Sequence, residues 1–194
     1  MTVDTTLLGL AGALSSVAAV ATAEVLAGAA LEPGLLSRAL GERLIGETGR
    51  LVPIELEGRV LVLDDSYNSN PPSLRSSLAA ARELATERGS RLVLVVGEMR
   101  ELGALSEPLH LELADELAKS GAAALVAVAG HAVLFVAAAR AHGIDAEFVH
   151  DTDAALERVL GLVRPGDVVL VKASRGVRAE SVVEGLVRAR GKAA

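Results

Sequence analysis

The sequence predicts an α/β protein in which a mainly parallel sheet is flanked by helices, with an antiparallel strand at its N-terminal end and a short helical segment before it. Short runs rich in Val, Leu and Ala alternate with helix-length amphipathic segments, which is the pattern of strands joined by crossover helices. Aromatic residues make up only 2% of the chain and Trp is absent. The core is therefore expected to consist of small aliphatic side chains, as in buried parallel sheets.

The first part of the chain is predicted to be helical. From Leu7 to about Ala29 the apolar residues follow a helical pattern, and Pro33 favours the first turn of a second, shorter helix. Asp4 precedes the first helix, Glu24 interrupts it, and a basic start is missing. We therefore interpret this stretch as a buried, Ala-rich helix and not as a signal peptide or a membrane span.

A boundary between two domains is predicted where this helical pattern stops. The stretch Gly46–Gly49 places two glycines around a Glu and a Thr, a composition that breaks a helix. Residues 1–46 are accordingly assigned to a helical segment, and residues 47–194 to the α/β domain.

Six strands are predicted after this boundary. The runs from Leu51 to Leu56 and from Val60 to Asp65 flank the turn Glu57-Gly58, and they are expected to pair as a hairpin. Because helix-length segments separate the later runs, their pairing is expected to be parallel. These later runs are Leu92 to Val96, Ala124 to Ala129, Glu147 to Val149 and Val168 to Val171.

Helix starts are predicted from capping residues. Asn70, Ser106 and Thr152 each stand just before a helix-like apolar stripe. Their side chains can accept hydrogen bonds from the free amides of a first helical turn. The last helix is expected to begin near Arg178.

The charge and the cysteine count exclude several classes of function. The chain carries 25 acidic and 19 basic residues, a formal net charge of −6. This charge opposes nonspecific binding to nucleic acid or to anionic lipid, so neither is expected as a partner. Cysteine is absent, which excludes a disulfide framework and a thiolate metal site and agrees with a cytoplasmic location.

Polar segments follow three of the predicted strands. They are Asp64–Pro71, Gly97–Gly103 and Lys172–Gly176. Ligands of open parallel sheets bind at the carboxyl ends of the strands, so these segments are expected to converge on one edge of the sheet. The first segment offers carboxylate, hydroxyl and amide groups that suit a polar ligand such as a sugar, although a capped turn explains the same residues.

The third segment is the better candidate for anion binding. Lys172, Ser174 and Arg175 stand close together at a strand end, where they form a natural receptor for a carboxylate or a phosphate. A solvated loop with ordinary surface cations is the alternative.

No catalytic residue and no metal site are predicted. A nucleotide-cleaving enzyme of this general class needs a glycine loop with Lys and Ser or Thr around the phosphates, and the sequence contains none. His110, His131, His142 and His150 lack the spacing of a helical metal pair or of a nucleophile's base. Each of them is expected to lie on the surface or to pack against a helix.

Four strings carry a resemblance to a known family. They are Gly49-Arg50-Leu51, Asp64-Asp65-Ser66-Tyr67-Asn68-Ser69-Asn70-Pro71, Gly97-Glu98-Met99-Arg100-Glu101-Leu102-Gly103 and Lys172-Ala173-Ser174-Arg175-Gly176. In this order and spacing they resemble the C-terminal domain of the Mur ligase family, and in particular its members that add D-alanyl-D-alanine to the UDP-N-acetylmuramoyl tripeptide. The resemblance implies a Rossmann-like third domain from about Gly49 onward, and it implies that residues 1–46 are a helical remnant of the central, ATP-binding domain.

The same resemblance implies cofactors, partners and site residues. ATP and Mg²⁺ would serve the complete enzyme, which makes an acyl phosphate from the UDP-muramoyl peptide. The amine of D-alanyl-D-alanine then attacks this acyl phosphate. Arg50 and Asp65 would bind the nucleotide. The substrate-binding residues would be Tyr67, Asn68, Ser69, Asn70, Lys172, Ser174 and Arg175.

The missing phosphate loop implies that the N-terminal and central ligase domains are needed as partners and that the isolated chain is inactive. An alternative is a stand-alone, non-catalytic binding or regulatory module with the same fold. It is motivated by Ala11, Gly12 and Ser15, which stand where the family usually has a His-Asn pair and another Asn.

A phosphorylation-receiver domain is a third hypothesis. Asp64-Asp65 and Lys172 imitate the acidic pair and the lysine of such a domain. The middle strand ends in Gly97-Glu98-Met99, which supplies no Asp to accept the phosphate.

Overall fold

The computed structural model describes residues 7–41 and 48–192, without the side chains of residues 11 and 41. The chain divides into two compact units, Met1–Glu47 and Thr48–Ala194. Asp4 and the predicted boundary at residues 46–47 lie outside the described residues.

The first unit contains two helices, α1 (Gly9–Ala27) and α2 (Pro33–Gly41). Pro33 is the first residue of α2, as predicted. The expectation that α1 is a buried helix is wrong, because its large apolar side chains are exposed, with Val25 81% and Leu26 84% accessible. Small Ala side chains occur both in cores and on surfaces. The helical pattern therefore did not predict whether this helix is buried.

The second unit is built on a six-stranded sheet with the order β1-β2-β6-β3-β4-β5. The strands are β1 (Val52–Leu56), β2 (Val60–Asp65), β3 (Leu92–Gly97), β4 (Ala124–Val128), β5 (Asp145–Val149) and β6 (Val168–Lys172). β1 pairs with β2 as an antiparallel hairpin, and the other neighbouring strands pair in parallel. The predicted fold class and all six predicted strands are confirmed.

Helices cover both faces of the sheet. They are α3 (Pro71–Glu87), α4 (Ser106–Ala118), α5 (Leu134–Ala141), α6 (Thr152–Leu162) and α7 (Glu180–Arg190). One face is rich in Val and packs against α6 and α7, and α3, α4 and α5 pack on the other. Since both faces are covered, every residue of β2, β3, β4 and β6 is buried, which explains the uninterrupted aliphatic runs in the sequence.

The two edge strands differ from the central ones. β1 carries Pro53 and Glu55, and its burial alternates along most of the strand. β5 carries Asp145 and Glu147, which both pair with the Arg158 guanidinium at 2.9 and 2.7 Å.

The predicted capping of α3 is confirmed. The Asn70 side chain accepts a hydrogen bond from the Ser73 amide at 2.9 Å, and the Ser73 hydroxyl accepts one from the Asn70 amide at 3.0 Å. This reciprocal pair is a capping box, which satisfies two amides that a helix start leaves free.

Two other predicted caps are wrong. Ser106 is the first residue of α4, but a 3₁₀ turn (Gly103–Leu105) runs into that helix, and the Ser106 side chain caps no amide. At α6 the cap is Asp151 instead of Thr152, because the Asp151 carboxylate accepts from the Ala154 amide at 2.9 Å.

The last helix begins two residues later than predicted. Arg178 adopts a left-handed conformation with φ 63°, and α7 starts at Glu180 after a 3₁₀ turn (Arg175–Val177). The Arg178 backbone thus belongs to the connecting loop.

Candidate functional site

The three polar segments lie at one edge of the sheet. β2, β6 and β3 are adjacent and parallel. The segments that follow them, Asp64–Pro71, Lys172–Gly176 and Gly97–Gly103, form one surface, which we call the rim. The expectation that these strand ends converge is confirmed.

A buried ion pair forms the centre of the rim. The Lys172 ammonium lies 2.6 Å from Oδ2 of Asp65, and the two side chains are only 2% and 12% exposed. The ammonium also donates to the Asn68 carbonyl at 2.9 Å. Burial lowers the pKa of Lys172, and the Asp65 carboxylate opposes that shift because it stabilises the charged ammonium.

Asp65 also binds two other parts of the second unit. Its Oδ1 accepts from the Leu51 amide at 3.1 Å, and its Oδ2 accepts from the Ser77 hydroxyl of α3. Leu51 has φ 54°, an uncommon conformation for a residue with a Cβ. The Asp65 carboxylate therefore helps to fix the backbone next to Arg50.

Two arginines approach the same aromatic ring on the rim. The guanidinium carbon of Arg50 lies 4.6 Å from the centroid of the Tyr67 ring, and that of Arg175 lies 5.4 Å from it. Both arginines are exposed and Tyr67 is half-buried. Contact with the ring orients both cations.

Gly49 allows the chain to pass close to Tyr67. Its carbonyl accepts from the Tyr67 amide at 3.0 Å, and its φ is 79°. A Cβ at this position would lie 2.9 Å from the Tyr67 nitrogen. Glycine is required here for both reasons.

Ser174 joins the three segments of the rim. Its hydroxyl accepts from the Arg100 amide at 2.8 Å and donates to the Ser69 carbonyl at 3.3 Å. Ser69 is buried as well, and its own hydroxyl oxygen has no hydrogen-bond partner within residues 7–41 and 48–192.

His110 holds the second segment, Gly97–Gly103, in place. It is fully buried, its Nε2 accepts from the Met99 amide at 3.0 Å, and its Nδ1 lies 2.7 Å from the Ser106 carbonyl. A carbonyl can only accept, so the neutral ring carries its proton on Nδ1. Burial lowers the pKa of His110, which favours this neutral form.

Sequence reasoning missed this role of His110. A local signal was its position four residues after Ser106, about one turn further along the same helix. The contact with Met99 is tertiary.

Glu98 belongs to the second segment, Gly97–Gly103. Its Oε1 accepts from the His131 amide at 3.2 Å, and its Oε2 lies 3.3 Å from Nε of Arg100.

The sequence-predicted site residues separate into an accessible and an internal group. Arg50, Asn68, Asn70 and Arg175 are exposed, and Tyr67 is partly so. Asp65, Ser69, Lys172 and Ser174 are buried. All of them lie on or beside the rim, and the buried members bind one another or the rim backbone. In the part of the chain that the structure describes, no cluster of three or more His, Asp or Glu side chains could hold a metal ion.

No helix in the described part of the chain is long and apolar enough to cross a membrane.

A family model described as "Mur ligase, glutamate ligase domain" matches residues 49–175. The chain is 39% identical over 142 residues to the UDP-N-acetylmuramoyl-tripeptide–D-alanyl-D-alanine ligase of Escherichia coli K12, an alignment that covers 71% of this chain and 29% of that protein. It is 37% identical over 146 residues to the ligase of the same name from Mycobacterium tuberculosis CDC 1551, covering 66% of this chain and 29% of the relative. The chain thus spans about 29% of the length of these relatives.

The chain is also similar to solved structures of MurF ligases. MurF from Acinetobacter baumannii superposes with a TM-score of 0.80 at 28% identity, covering 96% of this chain and 40% of that one. The MurF ligase from Thermotoga maritima in complex with ADP gives a TM-score of 0.68 at 28% identity, covering 91% of this chain and 38% of that one.

Proposed function

The chain belongs to the Mur ligase family, and on that premise we propose that it provides the C-terminal domain of an ATP-dependent ligase that adds D-alanyl-D-alanine to the UDP-N-acetylmuramoyl tripeptide in the cytoplasm. The names of the relatives support this reaction. This chain has no phosphate loop. The N-terminal and central domains of such a ligase would therefore supply the steps that need one. Residues 1–46 would be a helical remnant of the central domain.

The convergence of Arg50 and Arg175 on Tyr67 is the observation that carries the proposal. It gives one accessible surface two oriented guanidinium groups, each able to donate paired hydrogen bonds to a carboxylate or a phosphate. A ligase of this kind handles both groups, because it brings a nucleotide phosphate and a dipeptide carboxylate into one site. We assign Arg50 to the nucleotide and Arg175 to the dipeptide.

The buried residues would position these cations. Lys172 and Ser174 precede Arg175 in the same segment, and their bonds to Asp65, Asn68 and Ser69 hold its backbone in place. Because its charge is paired with Asp65, Lys172 would act on the dipeptide site by positioning Arg175. Ser69 is buried as well, and it would contribute through its carbonyl, which accepts from Ser174.

Asp65 would serve the nucleotide side in the same way. Its bond to the Leu51 amide fixes the residue next to Arg50, and its small exposed area limits direct contact with a ribose. ATP would supply the phosphoryl group that activates the peptide carboxylate, and Mg²⁺ would offset the phosphate charge. Tyr67, Asn68 and Asn70 would border the muramoyl peptide.

A chimeric ligase tests the proposal. Residues 48–194 of this chain replace the corresponding part of the Escherichia coli relative, and amide formation with D-alanyl-D-alanine is measured with ATP. We expect ligation of the dipeptide, and an Arg188→Gln variant, altered at an exposed residue of α7, should retain it. A folded chimera that binds nucleotide but ligates no D-alanyl-D-alanine would contradict the proposed substrate.

The alternative, a non-catalytic module of the same fold, rests on α1. Gly12 has no side chain and Ser15 carries a hydroxyl, so neither offers a side-chain amide to a nucleotide. A second chimera that also includes residues 7–47 distinguishes the two functions. Loss of ATP-dependent ligation in the longer chimera alone would favour the non-catalytic module, and equal activity of both would favour the ligase.

A further inference from the structure

A cleft lies at the end of the sheet opposite the rim. Its volume is about 260 Å³, and its lining includes Arg59, Arg88, Arg91, Arg164, Ser90 and Asp167. We call it the arginine cleft. Nothing in the proposed ligase reaction uses these residues.

The cleft is built from the amino ends of the strands that carry the rim. Arg59 precedes β2, Arg91 precedes β3, and Arg164 and Asp167 precede β6. Six residues of an extended strand, at roughly 3.3 Å each, span on the order of 20 Å. The arginine cleft is therefore a separate site that a ligand on the rim does not reach.

Two of the four arginines are paired with carboxylates. Nε and Nη2 of Arg91 each lie 3.0 Å from the carboxylate of Asp167, which is itself buried. Arg88 pairs with Glu55 at 2.6 Å. These bidentate pairs hold two sides of the cleft rigid.

The other two arginines leave the cleft positively charged. Within residues 7–41 and 48–192, the guanidinium groups of Arg59 and Arg164 make no hydrogen bond or ion pair. In the same part of the chain, Nε of Arg88 is buried without a partner. Four arginines against the carboxylates of Asp167 and Glu55 leave two positive charges in the cleft.

The backbone of Arg59 is also unusual. Arg59 has φ 60°, a conformation that costs free energy for a residue with a Cβ. The preceding residue, Gly58, also has a positive φ of 76°. Positive φ at two consecutive residues is typical of the tight turn of a hairpin such as β1–β2, so the turn fixes the backbone that carries Arg59.

We propose that the arginine cleft binds a small phosphate-bearing anion, held by Arg59 and Arg164. Arginine matches the geometry of phosphate oxygens, and a like-charged cleft gains free energy when an anion neutralises it. The chain as a whole is acidic, with a net charge of −6, so this local excess of arginine is not a by-product of a basic protein. The volume is smaller than that of a typical drug-sized pocket, which suits a phosphate group better than a whole nucleotide.

The test follows the amide signals of the ¹⁵N-labelled chain by NMR while inorganic phosphate is added at constant ionic strength. Gly89 and Gly166 line the cleft, and Gly97 and Gly176 mark the rim. We expect saturable shifts of Gly89 and Gly166. Arg59→Gln and Arg164→Gln should each raise the dissociation constant obtained from these signals at least about fivefold, because each removes a charge-assisted contact.

Arg188→Gln is the matched control, since it removes one positive charge from an exposed residue outside the cleft. Its dissociation constant should equal that of the unaltered chain. The proposal is overturned if Gly89 and Gly166 show no saturable shift, if the Arg59 and Arg164 variants bind phosphate as the unaltered chain does, or if Arg188→Gln weakens binding equally.

A lipid headgroup and a free phosphate present the same chemistry, and a second measurement separates them. Vesicles of phosphatidylcholine with and without phosphatidylglycerol are sedimented with the protein. Co-sedimentation that requires phosphatidylglycerol and is lost in the Arg59→Gln/Arg164→Gln double variant assigns the cleft to a headgroup. Phosphate binding without co-sedimentation assigns it to a soluble phosphate compound.

Discussion

Lys172 and Asp65 form an ion pair that is almost completely withdrawn from solvent, with the ammonium 2.6 Å from the carboxylate. The pair links the carboxyl ends of β6 and β2, and Asp65 extends the link to Leu51 and to α3. The rim therefore depends on a charge pair whose members cannot be removed separately without leaving a buried charge.

Replacing Lys172 with Met should lower the free energy of unfolding by about 3 to 5 kcal/mol, because Asp65 is then left buried without its counter-ion. Urea denaturation at pH 7 measures this change. The double variant Asp65→Asn/Lys172→Met should recover a large part of the loss. A loss below about 1 kcal/mol in Lys172→Met would contradict the role given to the pair.

The stability of the domain should fall when the pH drops below the ordinary pKa of histidine, about 6.5. His110 has a lowered pKa in the folded state, so the unfolded state takes up its proton first, and stability is lost between 6.5 and that lower folded value. His110→Gln should show a shallower dependence between pH 7.5 and 5 in urea denaturation. His142→Gln, altered at an exposed site, should keep the slope of the unaltered chain, and an unchanged slope in His110→Gln would refute the assignment.

Gly49→Ala should destabilise the domain more than Gly89→Ala. Both glycines have positive φ, 79° and 60°, which costs about 1 kcal/mol or more for alanine. Only Gly49 also has the Tyr67 nitrogen 2.9 Å from the added Cβ, whereas nothing lies within 4 Å at Gly89. Thermal and urea denaturation of the two variants compare the costs directly, and equal losses would show that the close approach to Tyr67 is unimportant.

Arg50→Gln and Arg175→Gln should separate the two substrates of the proposed ligase. In the chimera, Arg50→Gln should raise the KM for ATP by about tenfold, with a smaller effect on the dipeptide, since one charge-assisted contact contributes about 1.5 kcal/mol or more. Arg175→Gln should raise the KM for D-alanyl-D-alanine by a similar factor. Steady-state kinetics with one substrate varied at a time gives both values. Identical effects of the two variants on both substrates would disprove the division.

The sequence predicts the strands of this fold well because burial on both faces forces uninterrupted aliphatic runs. Strand ends are marked by the change to polar residues, and so Asp64–Pro71 and Lys172–Gly176 could be assigned to one edge. The partners of individual side chains were beyond prediction. Lysine is rarely buried, and the bond from Lys172 to Asp65 joins residues 107 positions apart.

The errors have a common physical cause. Ser106 has a capping side chain, but it bonds to His131 at 2.9 Å, because the preceding 3₁₀ turn continues directly into the helix. The hydrogen bond that the Met99 amide donates to His110 likewise comes from another segment. Local sequence gives the preference of a residue, and the tertiary neighbours decide between that preference and another contact.

The edge strands determine how this sheet can meet other proteins. Pro53 supplies no N–H donor in β1, and the acidic residues of β5 are tied to Arg158. Proline and charge on edge strands discourage strand-by-strand addition of another chain. Both edges of the sheet therefore carry features that oppose open-ended strand pairing.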